Sequence, residues 1–232
     1  DSLAHVELPD PVPQRDQVVL RMRAASINFR DLLTVRGLYN PKQPLPLVPL
    51  SDGVGEVVDV GPDVTRGKKG DRVWPIFMQG WLEGDVTKEK LRTTLGGPLP
   101  GVLSEMFVAH ESALVHVPAH LSDAEAATLP CAAVTAYNAL FSTGNVTAGD
   151  TVLVQGTGGV SIFALQFARM AGARVIATSS SDAKLERAKT LGAWETINYK
   201  TNPNWDKCAL ELTGGVGVDH VVEVGGAGTL AR

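Results

Sequence analysis

Six consecutive residues, Gly156-Thr157-Gly158-Gly159-Val160-Ser161, have types and spacing suited to holding phosphate. They follow an apolar run, Thr151 to Gln155, and open a helical one, Gly159 to Ala171. Strand, glycine turn and helix in that order form the dinucleotide fingerprint. Glycines let the backbone turn tightly and approach a pyrophosphate, while the helix start offers free N–H groups and a positive dipole end. Ser161 stands where a third glycine is usual, and it is small enough to keep helix and strand close. A glycine-rich turn with no ligand is the competing reading, and the strand–turn–helix context weighs against it.

The next strand, Arg174 to Thr178, points to the form of the dinucleotide. It runs into Ser179-Ser180-Ser181. NAD sites place Asp or Glu there to bind the ribose hydroxyls. A carboxylate would repel a 2′-phosphate; hydroxyls would bind it, and Lys184 could neutralise it from the following helix. NADP(H) is therefore expected. Two features pull the other way: Ser180 or Ser181 can serve merely as a helix cap, and Asp182 puts an acid close by.

These residues must be placed by a larger frame. At 232 residues, two domains are favoured over one. The composition is that of an ordinary globular protein, 44% hydrophobic and 20% charged, so a sizeable core can be buried. A net charge of −4 without a Lys/Arg cluster gives no nucleic-acid or anionic-membrane surface. No apolar run approaches the ~20 residues of a membrane helix. Cys131 and Cys208 are far apart and form no CxxC pair, which fits a reducing compartment, the cytoplasm.

Up to about Pro118 the chain reads as short strands cut by turns: Val18 to Arg23, Val54 to Val60, Asp71 to Pro75, Val102 to Ala109 and Leu114 to Val117. Residues 80–101 read as a long polar surface loop. Ser122-Asp123-Ala124-Glu125 then forms a capping box, and an alanine-rich helix is expected towards Leu140. From Asp150 strands and helices alternate: strands Thr151 to Gln155, Arg174 to Thr178, Glu195 to Tyr199 and Asp219 to Val224, with helices Gly159 to Ala171 and Asp182 to Leu191. This pattern predicts an α/β fold with a parallel doubly wound sheet. The expected division is 1–121 and 122–232.

Further segments carry a family resemblance: Ser26-Ile27-Asn28-Phe29-Arg30-Asp31-Leu32-Leu33, Gly37-Leu38-Tyr39, Gly53-Val54-Gly55-Glu56-Val57-Val58, Gly70-Asp71-Arg72-Val73 and Leu129 to Tyr137. With the glycine motif, they resemble the medium-chain dehydrogenase/reductase superfamily, in its quinone and enoyl reductase branch. The resemblance covers nearly the whole chain. It implies a GroES-like β domain, then a Rossmann domain, with the active site in the cleft between them. It also implies a homodimer paired through the last sheet strand. A complete dinucleotide domain has about six parallel strands, and four are legible here. The chain is therefore expected to be part of a longer one, lacking the last two strands and, at the start, the first.

Zinc-dependent relatives hold the metal with Cys, His and Cys. Those positions fall on Asn28, Ser51 (followed by Asp52) and Cys131. One thiolate cannot hold zinc, so no metal site is expected. None of the five histidines stands at a ligand spacing. Alcohol oxidation needs a Lewis acid to help remove the proton. An activated C=C or a quinone needs only hydride and a donor for the developing oxyanion. The expected function is thus metal-free hydride transfer from NADPH to an enone, quinone or enoyl thioester, a small-molecule substrate.

Tyr39 is the candidate donor, because enoyl thioester reductases that resemble this chain carry a tyrosine in a matching Gly-x-Tyr segment; pocket lining is its competing role. Asn28 should lie by the nicotinamide and could donate its amide, or simply cap a turn. The resemblance places Thr135 facing the nicotinamide. Tyr199 either lines the adenine side or is a half-buried strand-end tyrosine. Gly225, past the fourth strand, joins the cofactor set. Two other functions stay open: a zinc-type alcohol dehydrogenase, and a non-catalytic NADPH-binding protein of the same fold.

Overall fold

The structure is a computed structural model, and it describes residues 3–226. The described chain forms two compact units that divide between Cys131 and Ala132.

The first unit is built on an antiparallel sheet. Strand β1 (Gln17–Ser26) is followed by the short helix α1 (Phe29–Val35), then β2 (Asp52–Val60) and β3 (Arg72–Pro75). Helix α2 (Lys88–Leu91) precedes β4 (Met106–His110) and β5 (Leu114–His116). The sheet order is β4-β1-β2-β3-β5, every pair antiparallel. β1 lies in the interior of the sheet, and its first half, Val18-Val19-Leu20, is buried on both faces. Its second half alternates, with Arg21 and Arg23 turned to solvent. Full burial of each such aliphatic side chain contributes about 1.5–3 kcal/mol before the cost of ordering it.

The segment expected as a surface loop has two parts. Residues 80–93 are mostly exposed and carry α2. Leu95, in contrast, joins the core with Leu20, Val57, Val73 and Val102, the residue just after the loop. The backbone here approaches the segment before β2 directly: the Gly101 N–H donates to Val48 O at 2.7 Å and the Val102 N–H to Leu50 O at 3.0 Å. A Cβ on Gly101 would stand 1.9 Å from Leu50 O, so only glycine fits.

Helix α3 (Asp123–Ala127) begins at the expected capping box. Ser122 Oγ accepts from the Glu125 N–H, and the Glu125 carboxylate accepts from the Ser122 N–H at 2.9 Å. Its Ala126 and Ala127 pack on Val54 and Val117, so packing keeps α3 with the first unit. The alanine-rich stretch is not one helix. Pro130 has no N–H to donate and disfavours helical backbone at the residue before it. The chain widens into π-helical turns at Leu129–Ala133 and Asn138–Thr143, either side of the single α-turn α4 (Val134–Tyr137).

The second unit alternates as expected: β6 (Thr151–Gln155), α5 (Gly159–Met170), β7 (Arg174–Ser179), α6 (Asp182–Thr190), β8 (Glu195–Asn198), α7 (Trp205–Leu212) and β9 (His220–Val222). The strands are parallel in the order β8-β7-β6-β9. Alternate side chains feed two cores. Val152, Val154, Val175 and Ala177 meet Ala164, Leu165 and Ala168 of α5. Leu153 and Ile176 face the other way and meet Trp205 and Ala209 of α7. The fourth strand is shorter than the expected Asp219 to Val224. Helix α7 went unread in the sequence. No helix among the described residues is long and apolar enough to cross a membrane.

A substitution at the tight crossing gives a direct test. Gly101→Ala should destabilise the protein by about 2–4 kcal/mol in urea unfolding, by forcing two closely packed backbone segments apart. Gly67→Ala, where a Cβ meets no atom within 4 Å, should change stability by no more than about 0.5–1 kcal/mol. Equal effects from the two would refute the close-approach account.

Candidate functional site

At the end of β6 the chain turns through Gly156 at φ +85°, a left-handed conformation that favours glycine. Its N–H donates to Thr178 O at 3.0 Å, tying the turn to β7. Gly158 then caps α5 with extended backbone, without a side-chain capping hydrogen bond among the described residues. A Cβ on Gly158 would meet nothing within 4 Å, so the space beside it is open. Gly159 has less room, since its Cβ would stand 3.2 Å from the Ala132 Cβ. Thr157 and Val160 are half-buried. Ser161 is fully buried, and its Oγ donates to Gln155 O at 2.9 Å. Its hydroxyl is spent inside the fold, so it supports the turn instead of facing a ligand. An uncapped helix start beside open space, at the end of a 12-residue helix, fits the charge of a pyrophosphate.

The neighbouring strand ends add to this edge. Ser179 closes β7, almost buried, and its Oγ accepts from the Ser181 N–H at 3.3 Å. Ser180 is half-buried, and Lys184 is exposed in the first turn of α6. The nearby acid, Asp182, is engaged: its carboxylate accepts from Asn198 Nδ2 at 2.6 Å. Tyr199 follows β8, and its N–H donates to Ser179 O at 3.1 Å. Its ring packs half-buried against the cluster of Ile176, Ile197 and Trp205. Gly225 lies exposed just past β9. The parallel topology thus brings the glycine turn, the serines, Tyr199 and Gly225 to one edge, at the carboxyl ends of the strands. Thr135 is exposed on α4, one turn after Ala132, whose Cβ lies against Gly159 of the glycine turn.

In the first unit, Asn28 and Tyr39 lie at opposite ends of α1. The Asn28 N–H donates to Asp31 Oδ2 at 2.7 Å. Its side-chain Nδ2 is buried without a hydrogen bond of normal geometry, although the amide lies beside Asp52 and favours that carboxyl's charged form. Asp52 is fully buried: Oδ1 accepts from Ser51 Oγ at 2.7 Å and Oδ2 from the Cys131 N–H at 2.9 Å. Asp31 is buried too, and its Oδ1 accepts no hydrogen bond among the described residues. Burial pushes the Asp31 carboxyl above the ordinary carboxylate range, against the pull of the Asn28 N–H and the Arg30 charge. Burial also raises Asp52, offset in part by hydrogen bonds from Ser51, Asn28 and the Cys131 N–H, while the neighbouring Asp31 charge adds to the rise.

Tyr39 is half-exposed and lines a hollow with Thr34, Gln43, Phe77, Met78 and Thr94. The Arg30 guanidinium sits 5.1 Å from its ring centre. The buried pair Asp31 and Asp52, and Arg30 with its cage, were missed as functional candidates. Their one signal was charge inside otherwise apolar runs.

At the three positions that hold zinc in metal-dependent relatives, the donors are an amide, a hydroxyl already given to Asp52, and a thiol. Among the described residues no group of three or more His, Cys, Asp and Glu is placed to hold a metal ion. The donor set does not fit a catalytic zinc. His110, His116 and His220 instead bond Asp16, the Arg66 carbonyl and Asp150.

An antiparallel β unit followed by a parallel sheet with a glycine turn at its carboxyl edge defines a two-part dinucleotide-binding class. Residues 14–119 match the alcohol dehydrogenase GroES-like domain, and residues 159–232 the zinc-binding dehydrogenase domain. The chain belongs to the medium-chain dehydrogenase/reductase superfamily. A Schizosaccharomyces pombe protein named as zinc-type alcohol dehydrogenase-like is 51% identical over 95% of this chain and 65% of its own length. A chloroplast envelope quinone oxidoreductase homolog of Arabidopsis thaliana is 34% identical over 95% of this chain and 63% of its own. The solved structure of an NAD-dependent alcohol dehydrogenase superposes with a TM-score of 0.84 at 39% identity, covering 93% of this chain and 65% of that one. The chain therefore spans slightly under two thirds of each relative's length.

The buried carboxyl gives a pH test. A raised folded pKa means that the folded state holds its proton more tightly than the unfolded chain. That contribution to stability is full below the ordinary carboxylate pKa and is lost as pH rises through the raised value. Asp31→Asn keeps Oδ2 as acceptor for the Asn28 N–H and puts a neutral amide where Oδ1 accepts nothing. Urea midpoints between pH 4 and pH 8 should fall less in this variant than in the parent, and its midpoint at pH 8 should be higher. A parent-like slope would show that Asp31 is not the strained group.

Proposed function

We propose that the protein is a metal-independent, NADPH-dependent oxidoreductase that reduces an activated C=C or a quinone: an enone, a quinone or an enoyl thioester. The observation that carries this reading is the donor set at Asn28, Ser51 and Cys131, with the Ser51 hydroxyl already given to Asp52. Without a Lewis acid, removing an alcohol's proton is unfavourable. Hydride addition to the β-carbon of a conjugated system sends the electron pair to the carbonyl oxygen, and that charge needs only a donor. A bound nicotinamide dinucleotide supplies the hydride. In this reading the Tyr39 hydroxyl donates to the developing oxyanion, and the Asn28 amide, which lies beside Asp52, is a second donor. The α-carbon takes its proton from water or a weak acid. The open turn from Gly156 to Gly159 and the start of α5 hold the pyrophosphate. Ser179, Ser180 and Lys184 select the 2′-phosphate, and the Asn198 bond keeps Asp182 engaged elsewhere.

A second reading is a zinc-type alcohol dehydrogenase, favoured by the name of the 51% identical relative. Zinc stoichiometry in the full-length protein separates the two.

The cofactor assignment predicts at least ~10-fold tighter binding of NADPH than NADH, about 1.4 kcal/mol, by calorimetry on the full-length protein. Ser179→Asp should erase or reverse the preference; equal affinities in the parent would refute it. The chemistry predicts that Tyr39→Phe slows turnover of an enone by roughly 10²–10³-fold, as loss of one oxyanion donor does. A chelator should leave the rate unchanged. Stoichiometric zinc together with chelator-sensitive activity would overturn the metal-free mechanism, and unchanged turnover in Tyr39→Phe would overturn only the donor role.

A further inference from the structure

Arg30 sits in the first turn of α1 with its side chain only 11% exposed. A cation removed from water that far is costly unless it is well partnered. Here the partners come from separate stretches of chain. Nη1 donates to Leu95 O at 3.0 Å and Nη2 to Gly97 O at 2.8 Å. The guanidinium carbon lies 5.1 Å from the Tyr39 ring centre and 5.0 Å from that of Phe77. Asp31 stands 4.0 Å away. A planar guanidinium can meet two rings and two carbonyls at once, which an ammonium cannot.

Tyr39, Phe77 and Gly97 are also walls of the hollow described above. Tyr39 lies in the exposed turn after α1, where a tyrosine ring would otherwise have freedom to swing. We propose that Arg30 is a positioning residue: it holds the Tyr39 ring and the 95–97 turn in one arrangement, and so sets both the hydroxyl and the width of the hollow. This rests on the reading of Tyr39 as the donor in so far as it concerns rate, and is independent of it in so far as it concerns hollow shape. Arg30 acts through its neighbours and need not touch substrate.

A purely structural staple would cost stability and lower activity on every background alike. A positioning residue couples to the group it positions. The experiment is a double-mutant cycle in the full-length protein, with saturating NADPH and two enones, 2-cyclohexenone and the bulkier trans-chalcone. Arg30→Met should lower kcat for cyclohexenone about 10–10²-fold, with NADPH affinity unchanged, and Arg30→Lys should recover only part of the loss. Added to Tyr39→Phe, Arg30→Met should cost less than about 3-fold more, because the hydroxyl it positions is gone. It should also shift the ratio of kcat/KM values for the two enones by about 10-fold. Equal losses from Arg30→Met with and without the Tyr39 hydroxyl, and an unchanged substrate ratio, would overturn the proposal. If Tyr39→Phe alone leaves turnover unchanged, the donor reading fails and the substrate ratio decides the role of Arg30: a shifted ratio supports it, and a constant one refutes it. Should Arg30→Met fail to fold, Arg30→Lys carries the same cycle and the same two outcomes.

Discussion

Strands that all run one way must all finish at one edge of their sheet. In the order β8-β7-β6-β9, successive strands move outward on one side of β6 and then return to its other side. The loop leaving β6 therefore departs where the winding reverses. The glycine turn occupies that point. The residues proposed for cofactor binding at the strand ends of the second unit, from Gly156 to Gly225, share an edge through this constraint. Hydrogen bonds from Gly156 to Thr178 and from Tyr199 to Ser179 then hold the edge in register.

The first unit works by a different economy. Within one short stretch it buries Arg30 and Asp31, and beside them Asp52. Such groups raise the energy of a core unless nearly every polar atom finds a partner. Most do, but Asp31 Oδ1 and the Arg30 Nε have no hydrogen bond among the described residues. Strain of that kind gathers where a protein handles a ligand, and it falls on the helix that Asn28 caps and that the Tyr39 turn follows.

The second unit was legible because its signals are local. Buried β-branched runs, the glycine turn and the stop at Gly192 each lie within a few residues of what they specify. Helix α7 was overlooked although Trp205, Cys208, Ala209 and Leu212 recur at helical spacing; the helix is eight residues long, and no side chain caps it. The break at Pro130 was visible in the residue itself but was outweighed by the surrounding alanines. Leu95 looked like a stray in a polar segment, since its partners Leu20 and Val57 are far away in the chain. The cage around Arg30 could not be read beyond that one charge in an apolar run, because its carbonyl partners lie 65 and 67 residues on.

Ser161 shows what the third position of the glycine motif requires. Its side chain fits between helix and strand, and its hydroxyl is satisfied by the Gln155 carbonyl six residues back. The condition there is one of volume and polarity balance, not of backbone freedom, unlike at Gly156. A pattern search that insists on three glycines would pass over chains like this one, and would equally accept chains whose third glycine leaves a void. Recognition of such sites is better framed as a packing question at that position and a torsional one at the first.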